Sequence, residues 1–452
     1  MSRSRFAAVI LAAGEGTRLN SALPKVLHEV AGQPMIRHVI AALQPLEPAA
    51  TVVVIGRAHE AVARAVTPAQ TVVQDPPRGT ADAVRAARPA LAARLSEGGV
   101  EDVLVLFGDA PLLRTETIDA LLDARRRAPG AAVAIAGMRP ADPGPYGRVV
   151  VGRDGEVLRI TEARDASPEE RAIGLCNGGI MAIAARHAFD LLDRIGNDNA
   201  KREFYLTDIV ATARDHGLSC RVVEMPADEV LGVNTRAELA AAEALMQDRL
   251  RRRAMENGAT LIAPETVFLA ADTRLGRDVV IEPNVVFGPG VTLADNVRIR
   301  SFSHLEGAEI AGGSIVGPFA RLRPGAVLEA DVHVGNFVEV KAARLGAGVK
   351  ASHLSYLGDS DIGAGTNIGA GTITCNYDGI NKWRTTIGKG AFIGSNTALV
   401  APITVGDGAY VATGSVITAD VPADALTIGR ARQVDKPGRA AELRARLLKE
   451  KG

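Results

Sequence analysis

"IAGGSIVGPFARLRPGAVLEADVHVGNFVEV", Ile310 to Val340, returns a large aliphatic residue at every sixth position: Ile310, Val316, Leu322, Leu328, Val334 and Val340. The same interval joins Leu275, Ile281, Phe287, Leu293 and Ile299 upstream, and Ile387, Ile393, Leu399, Val405, Val411 and Ile417 downstream. Neither the alternation of a half-buried strand nor the turn of an amphipathic helix has this period. A stack of short strands does, because each supplies one inward aliphatic and successive turns bury a continuous column. The period predicts a parallel β-helix from Gly258 onward. Phase is lost between Ile368 and Ile387, inside the polar stretch "NIGAGTITCNYDGINKWRTTIG" (Asn367 to Gly388). This predicts a loop thrown out of the coil, with "NYDG" supplying turn chemistry, and long loops on repeat scaffolds mark the binding face.

The chain of 452 residues is too long for one ordinary core and predicts two or three domains. Lys plus Arg number 52 and Asp plus Glu number 52, so no net field draws nucleic acid or anionic membrane, and a small partner fits better. Apolar runs such as Ala7 to Ala13 are too short to span a bilayer, and no long apolar segment follows the N-terminal Met-Ser-Arg-Ser-Arg, which predicts a soluble cytoplasmic protein. Cys176, Cys220 and Cys375 are scattered and read as free thiols. Residues 5 to about 235 alternate apolar strand-like runs with helical patterns, which predicts a doubly wound, Rossmann-like α/β domain with a parallel sheet and ligands at the strands' carboxyl ends. Arg236 to Asn257 lacks Gly and Pro and predicts one linker helix. The expected domains are 1–235, a helix over 236–257, and 258–452. The last of these includes the tail "GRAAELRARLLKEKG", a short basic helix or a disordered end.

Chemistry is sought first after the opening strand, in "LAAGEGTRLNSALPK" (Leu11 to Lys25). Gly14 and Gly16 let the backbone approach a ligand, free N–H groups can hold phosphate oxygens, and Arg18 and Lys25 add positive charge. The loop is neither a Walker loop nor GxGxxG, and taken alone it is equally a tight turn. Asp109 in "FGDAPL" follows the apolar run "VLVLFG", where a carboxylate either holds a divalent ion or caps the next helix. Asn234 in "LGVNTR" either completes that ion's shell or is an ordinary turn residue.

The motifs LAAGEGTR…PK, QDPPRGTADA, FGDAPL, YGRVV, ITEARDA, CNGGI, YLTDI and LGVN occur in the order seen in sugar-nucleotide pyrophosphorylases. With the hexapeptide domain they resemble, over nearly the full chain, the bifunctional GlmU family of N-acetylglucosamine-1-phosphate uridyltransferases and glucosamine-1-phosphate N-acetyltransferases. That resemblance implies a left-handed β-helix. It implies that Leu11, Ala12, Ala13 and Gly14, with Gln74, Gly79 and Thr80, surround UTP while Arg18 and Lys25 face its phosphates. Gly147, Glu162 and Asn177 would hold the sugar, and Asp109 with Asn234 would bind Mg²⁺. N-acetylglucosamine 1-phosphate would attack the α-phosphorus of UTP and release pyrophosphate, with no covalent enzyme intermediate. Phe107 stands where Tyr is common and Arg202 where Gly is frequent; the first change could remove a hydrogen bond, and neither removes a charged catalytic group.

For the implied acetyl transfer from acetyl-CoA, an amine attacking a thioester needs a base that titrates near neutrality. Beyond Gly258 there are three histidines, and His353 in "KASHLSYLGDS" is favoured over His304 and His333, which decorate the coil's outer faces. Arg323 and Lys341 each follow a core position, 18 residues apart, so they stack in successive coils, either as a phosphate clamp or as two solvated charges. The resemblance implies Arg323, Lys341, Tyr356 and Asn367 around glucosamine 1-phosphate. It implies Ala370, Asn376, Tyr377, Ser395, Thr413 and Arg430 around acetyl-CoA, with Thr413 in place of the usual small Ala. It further implies a homotrimer with acetyl-transfer sites between subunits, and a product feeding bacterial cell-envelope synthesis. Two other readings are a nucleotidyltransferase whose β-helix only oligomerises or regulates, and a non-enzymatic carbohydrate-binding or structural surface.

Overall fold

The computed structural model describes residues 6–451, apart from 15, 58, 59, 97, 129, 145, 154 and 200. The chain falls into two compact units, divided between Leu250 and Arg251.

In the first unit the principal sheet contains β1 (Phe6–Ala12), β2 (Ala50–Gly56), β3 (Gln70–Gln74), β4 (Asp102–Phe107), β5 (Ala131–Met138), β6 (Cys176–Ala184) and β7 (Ser219–Glu224), in the order β7-β5-β6-β4-β1-β2-β3. "FAAVILA" in β1 is buried at every position, as a central strand covered on both faces requires. Helices close the two faces around separate apolar clusters, α1 (Met35–Leu43) and α3 (Thr115–Arg127) over one, α2 (Thr80–Ala86) over the other. The expected parallel sheet is in fact mixed: β6 runs antiparallel to both β4 and β5. The reason lies in the connection. After β5 the chain forms a hairpin arm, Arg148–Val151 against Val157–Thr161, and Cys176 then pairs with Arg148. Among the described residues no long crossover helix returns the chain to the amino end of the sheet, and β6 re-enters from the carboxyl side.

The second unit is a left-handed parallel β-helix. Its three faces are parallel sheets: face one with 10 strands (Thr260–Leu261 to Leu426–Thr427), face two with 8 (Arg274–Leu275 to Ile403–Val405) and face three with 8 (Val286–Phe287 to Val416–Ile417). Every six-residue position named above is buried except Leu275, which lies in the first strand of face two and has a neighbouring strand on one side only. The interruption is shorter than Ile368 to Ile387. Face three keeps its strand at Ile373–Cys375, face two resumes at Thr385–Ile387, and the excursion is confined to 376–384. Thr374 occupies the next inward position fully buried, its hydroxyl accepting from Gly358 N at 2.8 Å and donating to Gly358 O at 3.0 Å. A hydroxyl satisfied by the preceding coil substitutes for an aliphatic, which hides the position from an apolar count.

Helix α4 (Arg236–Glu256) contains the division between the units, and the tail forms an exposed helix over Arg439–Lys451. None of the described helices is long and apolar enough to cross a membrane.

Candidate active sites

The carboxyl ends of β1, β3 and β4 open into a cleft of about 270 Å³. Leu11, Ala12, Ala13 and Gly14 form one wall and Gln74, Gly79 and Thr80 another, with Lys25 and Asp109 at the polar end. Gln74 is oriented by bonds to Gly79 O (2.9 Å) and Asp82 Oδ2 (3.0 Å). Gly79 has φ +121°, and a Cβ there would fall 2.6 Å from Phe204 O, so only glycine lets the two segments meet. The Thr80 hydroxyl accepts from Leu206 N at 2.9 Å. Phe107 also lines the cleft. Arg202 adopts φ +55°, the left-handed conformation that glycine takes without strain.

At the polar end two oxygens converge on one cation. The Lys25 ammonium donates to Asp109 Oδ2 and, at 3.1 Å, to Asn234 Oδ1, and Arg18 Nη2 donates to the same Asn234 oxygen at 2.8 Å. Val233 N bonds Asp109 O at 2.9 Å, joining the two turns. Glu238 Oε2 accepts from Asn234 N (2.6 Å) and Thr235 N (2.9 Å), while Glu238 N donates to the Thr235 hydroxyl (3.2 Å). This reciprocal cap at the start of α4 holds the Asn234 turn. A carboxylate and a carboxamide oxygen converging on one point are the hard donors that Mg²⁺ takes when phosphates and water fill its remaining positions. Among the described residues no cluster of three or more His, Cys, Asp or Glu forms an all-protein metal cage.

Gly147, Glu162 and Asn177 form a neighbouring group that does not line the cleft. Asn177 N bonds Gly147 O at 2.8 Å, and a Cβ on Gly147 would lie 3.7 Å from Glu162 Oε1. Burial raises the Glu162 carboxyl above its ordinary range, opposed by the Thr207 hydroxyl at 3.2 Å and by Lys201.

In the β-helix the predicted residues distribute over faces and corners. Leu322 pairs with Val340 and Val340 with Leu357, so Arg323 and Lys341 stack outward on face three as the spacing requires. The ring of Tyr356 folds over Gly358, the register partner of Lys341. Arg323 also donates to Glu339 Oε1 at 2.8 Å, a partner the spacing argument did not supply.

His353 stands exposed at the corner from face one to face three, with Nδ1 2.8 Å from Asn336 Oδ1. That contact requires the proton on Nδ1, which leaves the Nε2 lone pair free to act as a base. Asn336 was not anticipated, yet it is the register partner of His353 in the preceding coil, so coil arithmetic contained the signal. His304 is exposed and His333 half-buried, both on outward positions.

Ala370, Ser395 and Thr413 continue the same corner, tied by Asn396 N to Ala370 O (2.7 Å) and Gly414 N to Ser395 O (2.8 Å). A Cβ on Gly394 would lie 2.4 Å from Thr413 N, so the turns stack backbone on backbone. Arg430 follows beside Gly414, its Cδ 3.5 Å from where a Cβ would sit. Before His353 the corner carries exposed Phe302, Phe319 and Phe337, with phenyl centroids 5.0 Å and 5.2 Å apart, and exposed Leu354 directly follows His353. Asn367 lies outward on face one.

Asn376 and Tyr377 are not brought to this corner. They follow Cys375 at the far end of face three, before face two resumes at Thr385. Asn376 is buried and donates to Asp359, whereas Tyr377 is exposed. The loop is a small hairpin around Asp378, which accepts from Trp383 Nε1 (2.7 Å), Ile380 N (2.8 Å) and Asn381 N (2.6 Å). The Trp383 bond and then these amides lower the Asp378 carboxyl to about 2.

Comparison with known proteins agrees with both halves. Residues 8–257 match the MobA-like NTP transferase domain family. Residues 272–307 match the bacterial transferase hexapeptide, and 384–419 the hexapeptide repeat of succinyl-transferase. Among curated relatives, the bifunctional protein GlmU of Azorhizobium caulinodans is 56% identical over 458 residues, and that of Xanthobacter autotrophicus 57% over 456, each alignment covering 100% of both chains. The GlmU of Acidiphilium cryptum is 58% identical over 97% of this chain and 98% of its own.

Proposed function

The chain belongs to the GlmU family of bifunctional enzymes, and from that premise we propose how its residues carry the two transfers. It is a UDP-N-acetylglucosamine diphosphorylase and a glucosamine-1-phosphate N-acetyltransferase. Residues 1–235 carry uridylyl transfer, 258–452 carry acetyl transfer, and 236–257 link them.

In the first site UTP occupies the cleft between Leu11–Gly14 and Gln74–Thr80, and the sugar lies against Gly147, Glu162 and Asn177. A phosphate oxygen of N-acetylglucosamine 1-phosphate attacks the α-phosphorus, and pyrophosphate leaves as the bond to the β-phosphate oxygen breaks. Arg18 and Lys25 orient the phosphates and neutralise charge, and Asp109 and Asn234 would hold Mg²⁺. When bound, this ion supplies further charge neutralisation at the phosphates. The observation that carries the reading is the convergence of the Asp109 and Asn234 oxygens on the Lys25 ammonium.

In the second site His353 Nε2 takes a proton from the amine of glucosamine 1-phosphate as that nitrogen forms a bond to the acetyl carbonyl carbon. The carbon–sulfur bond breaks and the thiolate of coenzyme A leaves. Asn336 holds the His353 tautomer, Arg323, Lys341 and Tyr356 take the phosphate, and Asn367 the sugar. Acetyl-CoA runs along Ala370, Ser395, Thr413 and Arg430. Asn376 and Tyr377 stand at a different corner, so the full set closes only between chains. A homotrimer supplies that arrangement, and the exposed Phe302–Phe319–Phe337 ladder beside His353 is an apolar surface of the kind an interface covers. The enzyme works in the cytoplasm, and its product feeds cell-envelope synthesis.

The test is one reaction containing glucosamine 1-phosphate, acetyl-CoA, UTP and Mg²⁺, each omitted in turn. Free thiol should need only the sugar phosphate and acetyl-CoA, whereas pyrophosphate should need all four. Pyrophosphate release without acetyl-CoA would refute the order of the two transfers, and absence of thiol would refute the second site.

A further inference from the structure

The corner that begins at Phe302 changes character after Leu354. Upstream one register position holds Phe302, Phe319, Phe337 and Leu354; downstream it holds Gly371, Asn396 and Gly414, beside Ala370, Ser395 and Thr413. Face one changes in the opposite sense over the same coils. Its outward column runs His333, Lys350, Asn367 and then Phe392 and Tyr410, register partners whose rings stack with centroids 4.5 Å apart and planes 16° apart. Phe392 is 37% exposed and Tyr410 47%, so the pair is not part of the coil's core. The corner thus steps down into a shelf of small residues with an aromatic wall along one side.

We propose that Tyr410, backed by Phe392, is the platform on which the adenine ring of acetyl-CoA stacks. The proposal rests on the reading of Ala370, Ser395, Thr413 and Arg430 as the coenzyme's track. Successive coils rise by the interstrand spacing of about 4.8 Å, so the coil of Thr413 and Tyr410 is about 14 Å from that of His353, and the coil of Arg430 about 19 Å. A shelf with a base at one end and a guanidinium with an aromatic pair at the other matches the polarity of an acyl-coenzyme A. Such a molecule carries its thioester at one end and a phosphorylated adenosine at the other. The thioester reaches His353, the narrow pantetheine arm passes the small corner residues, and the phosphates meet Arg430. The flat base then has an exposed aromatic face within reach. Stacking of a base on an aromatic side chain is sequence-independent and needs no buried polar partner, which suits so open a position.

The experiment compares Tyr410→Ala and Tyr410→Phe with the unmodified enzyme, using acetyl-CoA and S-acetylpantetheine, which lacks the nucleotide. Tyr410→Ala should reduce the preference for acetyl-CoA over S-acetylpantetheine, as a ratio of kcat/KM, by about tenfold, mostly through the KM for acetyl-CoA. Tyr410→Phe should retain it. An unchanged ratio in Tyr410→Ala, equal losses with both donors, or loss of the oligomer on light scattering would each overturn the proposal. If the unmodified enzyme transfers no acetyl group from either donor, it is the acetyl-CoA reading of the corner that fails.

Discussion

The two sites differ in how much of their surroundings one chain provides. The cleft proposed for the nucleotide is concave: the ends of β1, β3 and β4 wall it, and Arg18, Lys25, Asp109 and Asn234 hydrogen-bond one another. The residues proposed for acetyl transfer stand on the outside of a prism. His353 is exposed, Ala370, Ser395 and Thr413 follow one corner, and Asn376 and Tyr377 occupy another. A convex edge cannot exclude water from a reacting thioester, so on the proposed assignment the same chain holds one site walled by its own strands and one that needs a second surface. A sheet's switch point makes a pocket by topology, whereas a β-helix makes only faces and corners.

The most severe way to separate the two is Asp109→Ala. With one of two converging oxygens gone, uridylyl transfer should fall roughly 10³-fold while thiol release from acetyl-CoA is unchanged. Equal loss of both activities would contradict independent sites. His353→Ala should act in the opposite direction, lowering acetyl transfer roughly 10²-fold and leaving pyrophosphate release from supplied N-acetylglucosamine 1-phosphate intact. Near-normal acetylation would remove His353 from the mechanism. Phe319→Asp tests the need for a second surface. It should dissociate the oligomer on light scattering and reduce acetyl transfer at least about tenfold, with uridylyl transfer preserved; full acetylation by a dissociated chain would contradict the comparison. Glu238→Ala has the smallest effect, because it loosens the Asn234 turn without touching a ligand. It should raise the Mg²⁺ concentration for half-maximal uridylyl transfer about fivefold, and Glu238→Gln should recover most of the loss.

The β-helix was legible because its signal is a sum: one inward residue per face, repeated over coil after coil, survives local exceptions. The exceptions obeyed a different rule. Thr374 holds a core position through two backbone hydrogen bonds, and Asn336 faces His353 through register, not proximity in sequence. In the first unit the glycine-rich loop, Gln74 and Asp109 were legible as strand ends, but the direction of β6 was not. Alternating strands and helices imply parallel strands only when a helix makes the return, and here the Arg148–Thr161 arm intervenes. Asn376 read as a loop residue and does open the loop, but it is buried against Asp359, a contact made through the preceding coil that the loop's own sequence does not contain.

The hairpin around Asp378 carries the chain's single Trp, so it provides an intrinsic fluorophore at the edge where a neighbouring chain is expected. Emission excited at the indole band reports on that hairpin alone, with no label attached. The Asp378 carboxyl lies below its ordinary value, so the bond to Trp383 is fully present above the normal carboxylate range and is lost as pH falls toward about 2. Across the neutral range, therefore, a shift in this emission on dilution would record the approach or departure of another chain rather than a proton.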